Sequence, residues 1–213
     1  MRIACLHTAH SNIAVFDSAL LDLNAVGVEL NHTVRAELLS TAEAAGCLTP
    51  EIVTQTQEAL LALCKDSDVV LLTCSTLGPS VNSLQSRTRT PVIRVDEALA
   101  KTAVSQGGRI VVLCAVETTV QPTSQLFLTA AQGSDSEVEI LLVSHAWDLF
   151  KAGDIDAYLC SIAEAADKAY RDGANIVALA QASMAKAASL IKHTEATLTS
   201  PRCGLQAAIL ALT

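Results

Sequence analysis

The sequence predicts an α/β protein built from one unit used twice, and three observations carry that prediction. Short aliphatic runs alternate with Ala/Leu/Glu-rich stretches at helical spacing along the 213 residues, the pattern of a mostly parallel sheet covered by helices. Aromatic residues are only 3% of a chain that is 51% hydrophobic. A core of small aliphatics lets helices pack closely on a sheet and disfavours an all-β sandwich. Finally, Arg2 and Arg109 are 107 positions apart, and so are Cys74 and Gln181.

The elements follow in order. Strands are predicted at 3–6, 28–30, 69–72, 92–95, 110–113, 138–143, 176–179 and 197–199, each short enough to be buried. Helices are predicted at 13–23, 50–65, 96–105, 155–172 and 185–193, with a final helix at 204–213. The Ala/Glu/Leu content of 34–48 suggests a further helix, and Gly46 suggests where it stops. In the 107-residue register, Arg2-Ile3-Ala4-Cys5-Leu6 lies on Arg109-Ile110-Val111-Val112-Leu113. Asp68-Val69-Val70-Leu71-Leu72-Thr73-Cys74-Ser75 lies on Asn175-Ile176-Val177-Ala178-Leu179-Ala180-Gln181-Ala182 without a gap. Two anchors in one register indicate an internal repeat. The halves are placed at 1–100 and 101–213.

Composition excludes several functions. A net charge of -8 sets the chain against polyanions, and no Lys/Arg cluster with interleaved aromatics is present, so nucleic acid is not an expected partner. The seven cysteines, at 5, 47, 64, 74, 114, 160 and 203, include no CxxC pair and no finger-like His spacing. Neither a disulfide framework nor a zinc site is implied by that spacing, and reduced thiols in a cytoplasm are expected. No uncharged apolar stretch approaches the roughly 20 residues that span a bilayer, so no membrane association is expected.

In open α/β sheets ligands bind beyond the carboxyl ends of the strands, where helix N-termini offer unpaired N–H groups. Four loops occupy such places: His7-Thr8-Ala9-His10-Ser11-Asn12, Cys74-Ser75-Thr76-Leu77-Gly78-Pro79, Ala115-Val116-Glu117-Thr118-Thr119 and Gln181-Ala182-Ser183-Met184. If the halves are related by a pseudo-two-fold axis, these loops line one cleft suited to a small carboxylate. Cys74 alone among the cysteines sits between an apolar strand and a small-polar turn leading into a predicted helix. A thiol at a helix N-terminus is expected to have a lowered pKa, which would make it a base or nucleophile and the fastest of the seven to alkylate. Cys5, Cys64, Cys114 and Cys160 read instead as small buried hydrophobes.

Leu71-Leu72-Thr73-Cys74-Ser75-Thr76 resembles the first cysteine motif of the aspartate/glutamate/hydantoin racemase superfamily. The resemblance extends to Pro91-Val92-Ile93 followed by Asp96-Glu97-Ala98, to Thr118-Thr119, and to Leu179-Ala180-Gln181-Ala182-Ser183-Met184. It implies two α/β subdomains with mainly parallel sheets flanked by helices, an active site in the cleft between them, and the last helix packed back on the first half. It also implies a cofactor-independent enzyme in which two cysteines exchange protons on opposite faces of a substrate's α-carbon. Homodimers are common among such relatives.

Cys74 matches the first of those cysteines, whereas Gln stands at 181 where the second would fall. A carboxamide donates and accepts hydrogen bonds but does not exchange a proton in a catalytic step. The expected function is a racemase- or isomerase-like reaction on a small carboxylate or amino-acid-like substrate, with Cys74 and Gln181 at its centre and no metal. Thr8, Ser11, Asn12, Ser75, Thr76, Thr118, Thr119, Ala182 and Ser183 would bind it. The alternatives are decarboxylation of a malonate-like acid with Cys74 as proton donor, or a small-carboxylate-binding protein without turnover. His7, His10 and Glu117 are candidates for a second acid, although a loop His is more often solvated or capping and a loop carboxylate exposed. His145 and Trp147 are candidates for the wall or rim of the cleft, and Arg202 for a bidentate clamp on a carboxylate, although a surface arginine before a helix is as common.

Overall fold

A computed structural model describes residues 1–193 and 197–212. The chain divides into two compact units, one comprising Met1–Ala98 with the chain from Pro201 onward, the other Leu99–Ser200. The first carries β1 (Arg2–His7), α1 (Ser11–Asp22), β2 (Glu29–Val34), α2 (Ala36–Ala45), α3 (Pro50–Leu63), β3 (Val69–Leu72) and β4 (Val92–Arg94). From β4 the chain enters α4 (Val95–Gln106), which runs into the second unit. There follow β5 (Arg109–Cys114), α5 (Glu117–Ala130), β6 (Glu137–Leu142), α6 (Ala146–Lys151), α7 (Ile155–Arg171), β7 (Ile176–Leu179), β8 (Thr197–Thr199) and α8 (Ser200–Leu210). Each unit holds a four-stranded sheet, ordered β2-β1-β3-β4 and β6-β5-β7-β8, with every pairing parallel.

The repeat is visible atom by atom. The Arg2 N–H donates to Asp68 Oδ2 at 2.7 Å, and the Arg109 N–H to Asn175 Oδ1 at 2.8 Å. Thr73 N donates to the Leu6 carbonyl and Ala180 N to the Leu113 carbonyl, both at 3.1 Å. All of these pairs keep the 107-residue register. One residue is gained before β6, because Arg2 pairs with Glu29 but Arg109 with Glu137.

Burial follows from the pattern of each element. β3 (VVLL) and β7 (IVAL) are buried along their whole length, as strands covered on both faces must be. Ala4, Leu6, Val70 and Leu72 pack with Leu38, Ala42, Ile52 and Leu60 of α2 and α3. In the second unit Val111, Leu113, Val177 and Leu179 pack with Tyr158, Ile162 and Ala166 of α7. Local signals set the ends. Thr49 accepts from Ile52 N at 3.4 Å with Pro50 opening α3, Asp154 accepts from Ala157 N at 3.2 Å at the start of α7, and Gly46 takes φ 66° to close α2. Among the described residues, no helix is long and apolar enough to cross a membrane.

Helix α8 lies close against the start of α4. A Cβ placed on Gly204 would fall 2.5 Å from Cγ1 and 3.3 Å from the Cα of Val95. Gly204→Ala therefore pushes against backbone and is expected to cost about 1–3 kcal/mol, read as a lowered urea midpoint.

Three elements differ from expectation. The segment predicted as a helix at 185–193 is a 3-10 helix at Ala182–Leu190. Met184 and Ala187, three residues apart, both turn into the core against α7, and that spacing suits three residues per turn. The sequence places a loop at 115–119, yet α5 begins at Glu117 and continues through Pro122. The short helix α6 was also not foreseen; it opens after His145, whose φ is 63°.

Candidate active site

In the first unit the loops after β1 and β3 converge on Cys74, which is buried at the end of β3. The Thr8 hydroxyl and the backbone N–H groups of Leu77 and Thr76 stand around its sulfur, and each favours the thiolate. Burial outweighs them, and the nearby Asp96 carboxylate adds to it, so the thiol is raised above its ordinary value of 9.0. This corrects the expectation of a lowered pKa. No α-helix starts at Cys74. The chain closes a turn in which Gly78 N donates to the Ser75 carbonyl at 3.0 Å, then makes a short 3-10 stretch, Gly78–Val81, whose dipole is small. The expected order of alkylation reverses accordingly. Cys47 and Cys160 are exposed while Cys74 is buried, so iodoacetamide mapped by mass spectrometry should label the first two ahead of Cys74. Cys5 and Cys114 are buried as expected, but Cys160 is exposed and Cys64 only half-buried.

An ion pair that the sequence reading missed supports this loop. Arg94, at the end of β4, donates to Asp96 through Nε at 3.1 Å and Nη2 at 2.8 Å, and both side chains are buried. Asp96 Oδ1 also accepts from Glu97 N at 2.9 Å in the first turn of α4. Gly78 leaves room for the guanidinium, since a Cβ there would lie 2.4 Å from Nη2. The signal was an Arg at a strand end two residues ahead of an Asp opening a helix, a local spacing that a search for chemistry overlooks.

In the second unit Gln181 follows β7 at the place equivalent to Cys74. Its Oε1 accepts from Ala115 N at 2.6 Å and its Nε2 donates to Thr119 Oγ1 at 2.9 Å. Ala115 is the counterpart of Thr8 in the 107-residue register. The loop after β5 is thus tied to position 181 as the loop after β1 is tied to position 74. Thr119 is buried and its hydroxyl donates to the Val116 carbonyl at 2.6 Å. Ser183 shares a 2.8 Å hydrogen bond with the buried Tyr158 hydroxyl, while Ala182 is buried and Thr118 exposed. In the first unit Asn12 and Ser75 are buried, Thr76 half-buried and Ser11 exposed.

The candidates for a second acid are placed differently. His10 and Glu117 are exposed. His7 is fully buried at the end of β1, with Nδ1 2.8 Å from Thr73 Oγ1 and Nε2 2.8 Å from His32 Nδ1. Burial, assisted by His32, lowers it to about 4, so it is neutral at pH 7. Trp147 stacks on Phe150 at 4.9 Å within the second unit, the His145 side chain is exposed, and so is Arg202 on α8.

Comparison with known proteins agrees with this layout. Among solved structures the chain resembles a Picrophilus torridus aspartate racemase, with TM-score 0.79 and 14% identity over 99% of this chain and 93% of that one. An allantoin racemase from Pseudomonas fluorescens gives TM-score 0.69 and 17% identity over 100% and 91% of the two chains. A glutamate racemase from Bacillus anthracis gives 0.71 and 14% over 99% and 80%. A search of curated protein sequences finds no significant match. The model of the Asp/Glu/hydantoin racemase family matches residues 34–208, a span that includes both Cys74 and Gln181, and the chain belongs to that family.

Proposed function

We propose that the chain is a cofactor-independent racemase- or isomerase-type enzyme for a small carboxylate or amino-acid-like substrate, with Cys74 as its base or nucleophile. One observation carries the reading. At the end of β3 a buried thiol is surrounded by the Thr8 hydroxyl and the backbone N–H groups of Leu77 and Thr76, all of which favour its thiolate when it forms. Family membership and likeness to aspartate, glutamate and allantoin racemases support the substrate class. Thr8, Asn12, Ser75 and Thr76 are the groups of the first unit proposed to hold carboxylate oxygens; Thr118, Thr119, Ala182 and Ser183 stand in the second unit at the places equivalent to Ser11, Asn12, Ser75 and Thr76. Ser11 would join them from the start of α1.

The test is α-proton exchange in deuterated water, followed by NMR for a panel of α-amino acids, dicarboxylic acids and hydantoin-type compounds. Exchange is expected with at least one of them. A protein that binds a panel member yet exchanges no α-proton is a binding protein, and the proposal fails.

Two further outcomes follow. Because kcat/KM reports groups of the free enzyme, and Cys74 must lose its proton to act, its rising limb should lie above the ordinary thiol value of 9.0. A limb centred below that value would mean a different base. The amide of Gln181 has no proton to transfer, so Gln181→Cys supplies a second carrier and should raise inversion relative to exchange. Chiral chromatography of product formed alongside deuterium uptake measures the ratio.

A further inference from the structure

On the sheet face opposite α2 and α3 lies a cluster for which the proposed chemistry has no use. Cys5 and His7 alternate along β1 and so share a face, and the parallel register sets His32 of β2 beside Cys5. The donor atoms of Cys5, His7 and His32 all lie within 4.8 Å of one another. Phe16 of α1 packs on the His7 ring at 5.2 Å.

The hydrogen bonds leave one place without a hydrogen. Thr73 Oγ1 donates to the Leu6 carbonyl at 3.0 Å, so it must accept from Nδ1–H of His7, and His7 Nε2 keeps its lone pair. His32 Nε2 lies 3.1 Å from Asp17 Oδ1 and gives that carboxylate its N–H, which leaves His32 Nδ1 bare in the neutral ring. With that hydrogen on Nε2, two lone pairs face each other at 2.8 Å, an arrangement relieved either by a cation between the rings or by moving the His32 hydrogen to Nδ1 at the expense of the Asp17 bond. The cation is either an added proton or a metal.

We infer that Cys5, His7 and His32 form a three-ligand site for a divalent metal ion of the zinc type, clipping the edge strand β2 to β1. A thiolate with two imidazoles suits zinc. Tetrahedral zinc separates its nitrogen ligands by about 3.3 Å and sulfur from nitrogen by about 3.6 Å, so the two rings part by about 0.5 Å, and Cys5 Sγ, within 4.8 Å of both, closes by up to about 1.2 Å. Each His already gives its other N–H to a second partner, Thr73 for one and Asp17 for the other, as metal-bound imidazoles do. The two positive charges are balanced by the Cys5 thiolate and the Asp17 carboxylate. Binding releases the thiol proton to solvent, together with any proton shared by the two rings. His32 is partly open to solvent and β2 is an edge strand, which provides an entry path.

The second unit shows that the fold does not need this cluster. Val112 and Ile140 pair there as Cys5 and His32 do, Cys114 takes the place of His7, and Ala180 that of Thr73. The inference stands independently of Cys74.

The experiment is titration of chelator-stripped protein with Co²⁺ at neutral pH. One equivalent should bind, with a thiolate-to-cobalt charge-transfer band and tetrahedral d–d bands, and Zn²⁺ should displace it and raise Tm. Cys5→Val and His32→Ile, which borrow the residues of the second unit, should abolish the charge-transfer band and weaken binding by more than about 100-fold, and Asp17→Ala by about 10- to 100-fold. Cys74→Ser should bind as the unmodified protein does. Unmodified protein that shows neither stoichiometric binding nor a shift in Tm overturns the inference, as does a charge-transfer band that survives Cys5→Val. The 2.8 Å contact between the rings is then an ordinary imidazole hydrogen bond.

Discussion

Cys74→Ser is expected to reduce α-proton exchange by about 100- to 10,000-fold, the usual scale for loss of a positioned acid–base group. A hydroxyl is a far weaker acid than a thiol, and the donors around position 74 do not bring it into range. The fold should be unaffected, because serine is nearly isosteric and Thr8, Thr76 and Leu77 can still donate to its oxygen. Cys160→Ser, on an exposed position of α7, should keep full turnover. The comparison is made on exchange rates, with circular dichroism to confirm that both variants fold. If Cys74→Ser retains the unmodified rate, the catalytic assignment is wrong.

Arg94→Ala is expected to cost about 3–5 kcal/mol, because it leaves the buried Asp96 carboxylate without its bidentate partner. The lower end of that range is expected, since the Glu97 N–H remains on Asp96 Oδ1. Chemical denaturation reads the loss directly. The double variant Arg94→Met/Asp96→Leu should recover most of it, because neither charge then stays buried alone. Activity should respond separately. An unpaired Asp96 beside Cys74 disfavours the thiolate further, so the rising limb of kcat/KM should move to still higher pH in Arg94→Ala. Stability and pH profile unchanged from the unmodified protein would show that the pair supports neither the fold nor the thiol.

The regular part of the fold was legible because its signals are local. All eight strands lie where the short aliphatic runs stand, and 69–72, 176–179 and 197–199 agree to the residue. The 107-residue register was legible for a similar reason, since β1 with β5 and β3 with β7 carry the same pattern without a gap. Where tertiary packing decides, the reading failed. The run after Gln181 has the composition of an α-helix, but inward placement of Met184 and Ala187 draws it into a 3-10 helix. Pro122 and the threonines around it concealed α5, because a proline in a helix interior removes a hydrogen bond and reads as a break, and only the packed structure shows the helix continuing through it.

The site divides the same way. That Cys74 and Gln181 follow β3 and β7 at equivalent places was legible from the strand ends and the repeat, because both are properties of short segments. The raised thiol was not legible, since burial comes from residues distant in sequence and the short 3-10 stretch gives little dipole to oppose it. Cysteine spacing implied no zinc site for a related reason. Cys5 and His7 look like alternate residues of one buried strand, and only the pairing of β1 with β2 brings in His32 from 25 residues away.

The central claim is that one thiol, and not a pair, moves the substrate's α-proton. The most direct measurement is the stereochemistry of deuterium uptake by the unmodified protein, read by NMR and chiral chromatography on a single enantiomer. The account predicts deuterium entering with retention and little mirror image, because Gln181 has no transferable proton. Interconversion of enantiomers at a rate comparable with exchange would contradict it, and would mean that another group serves as the second acid.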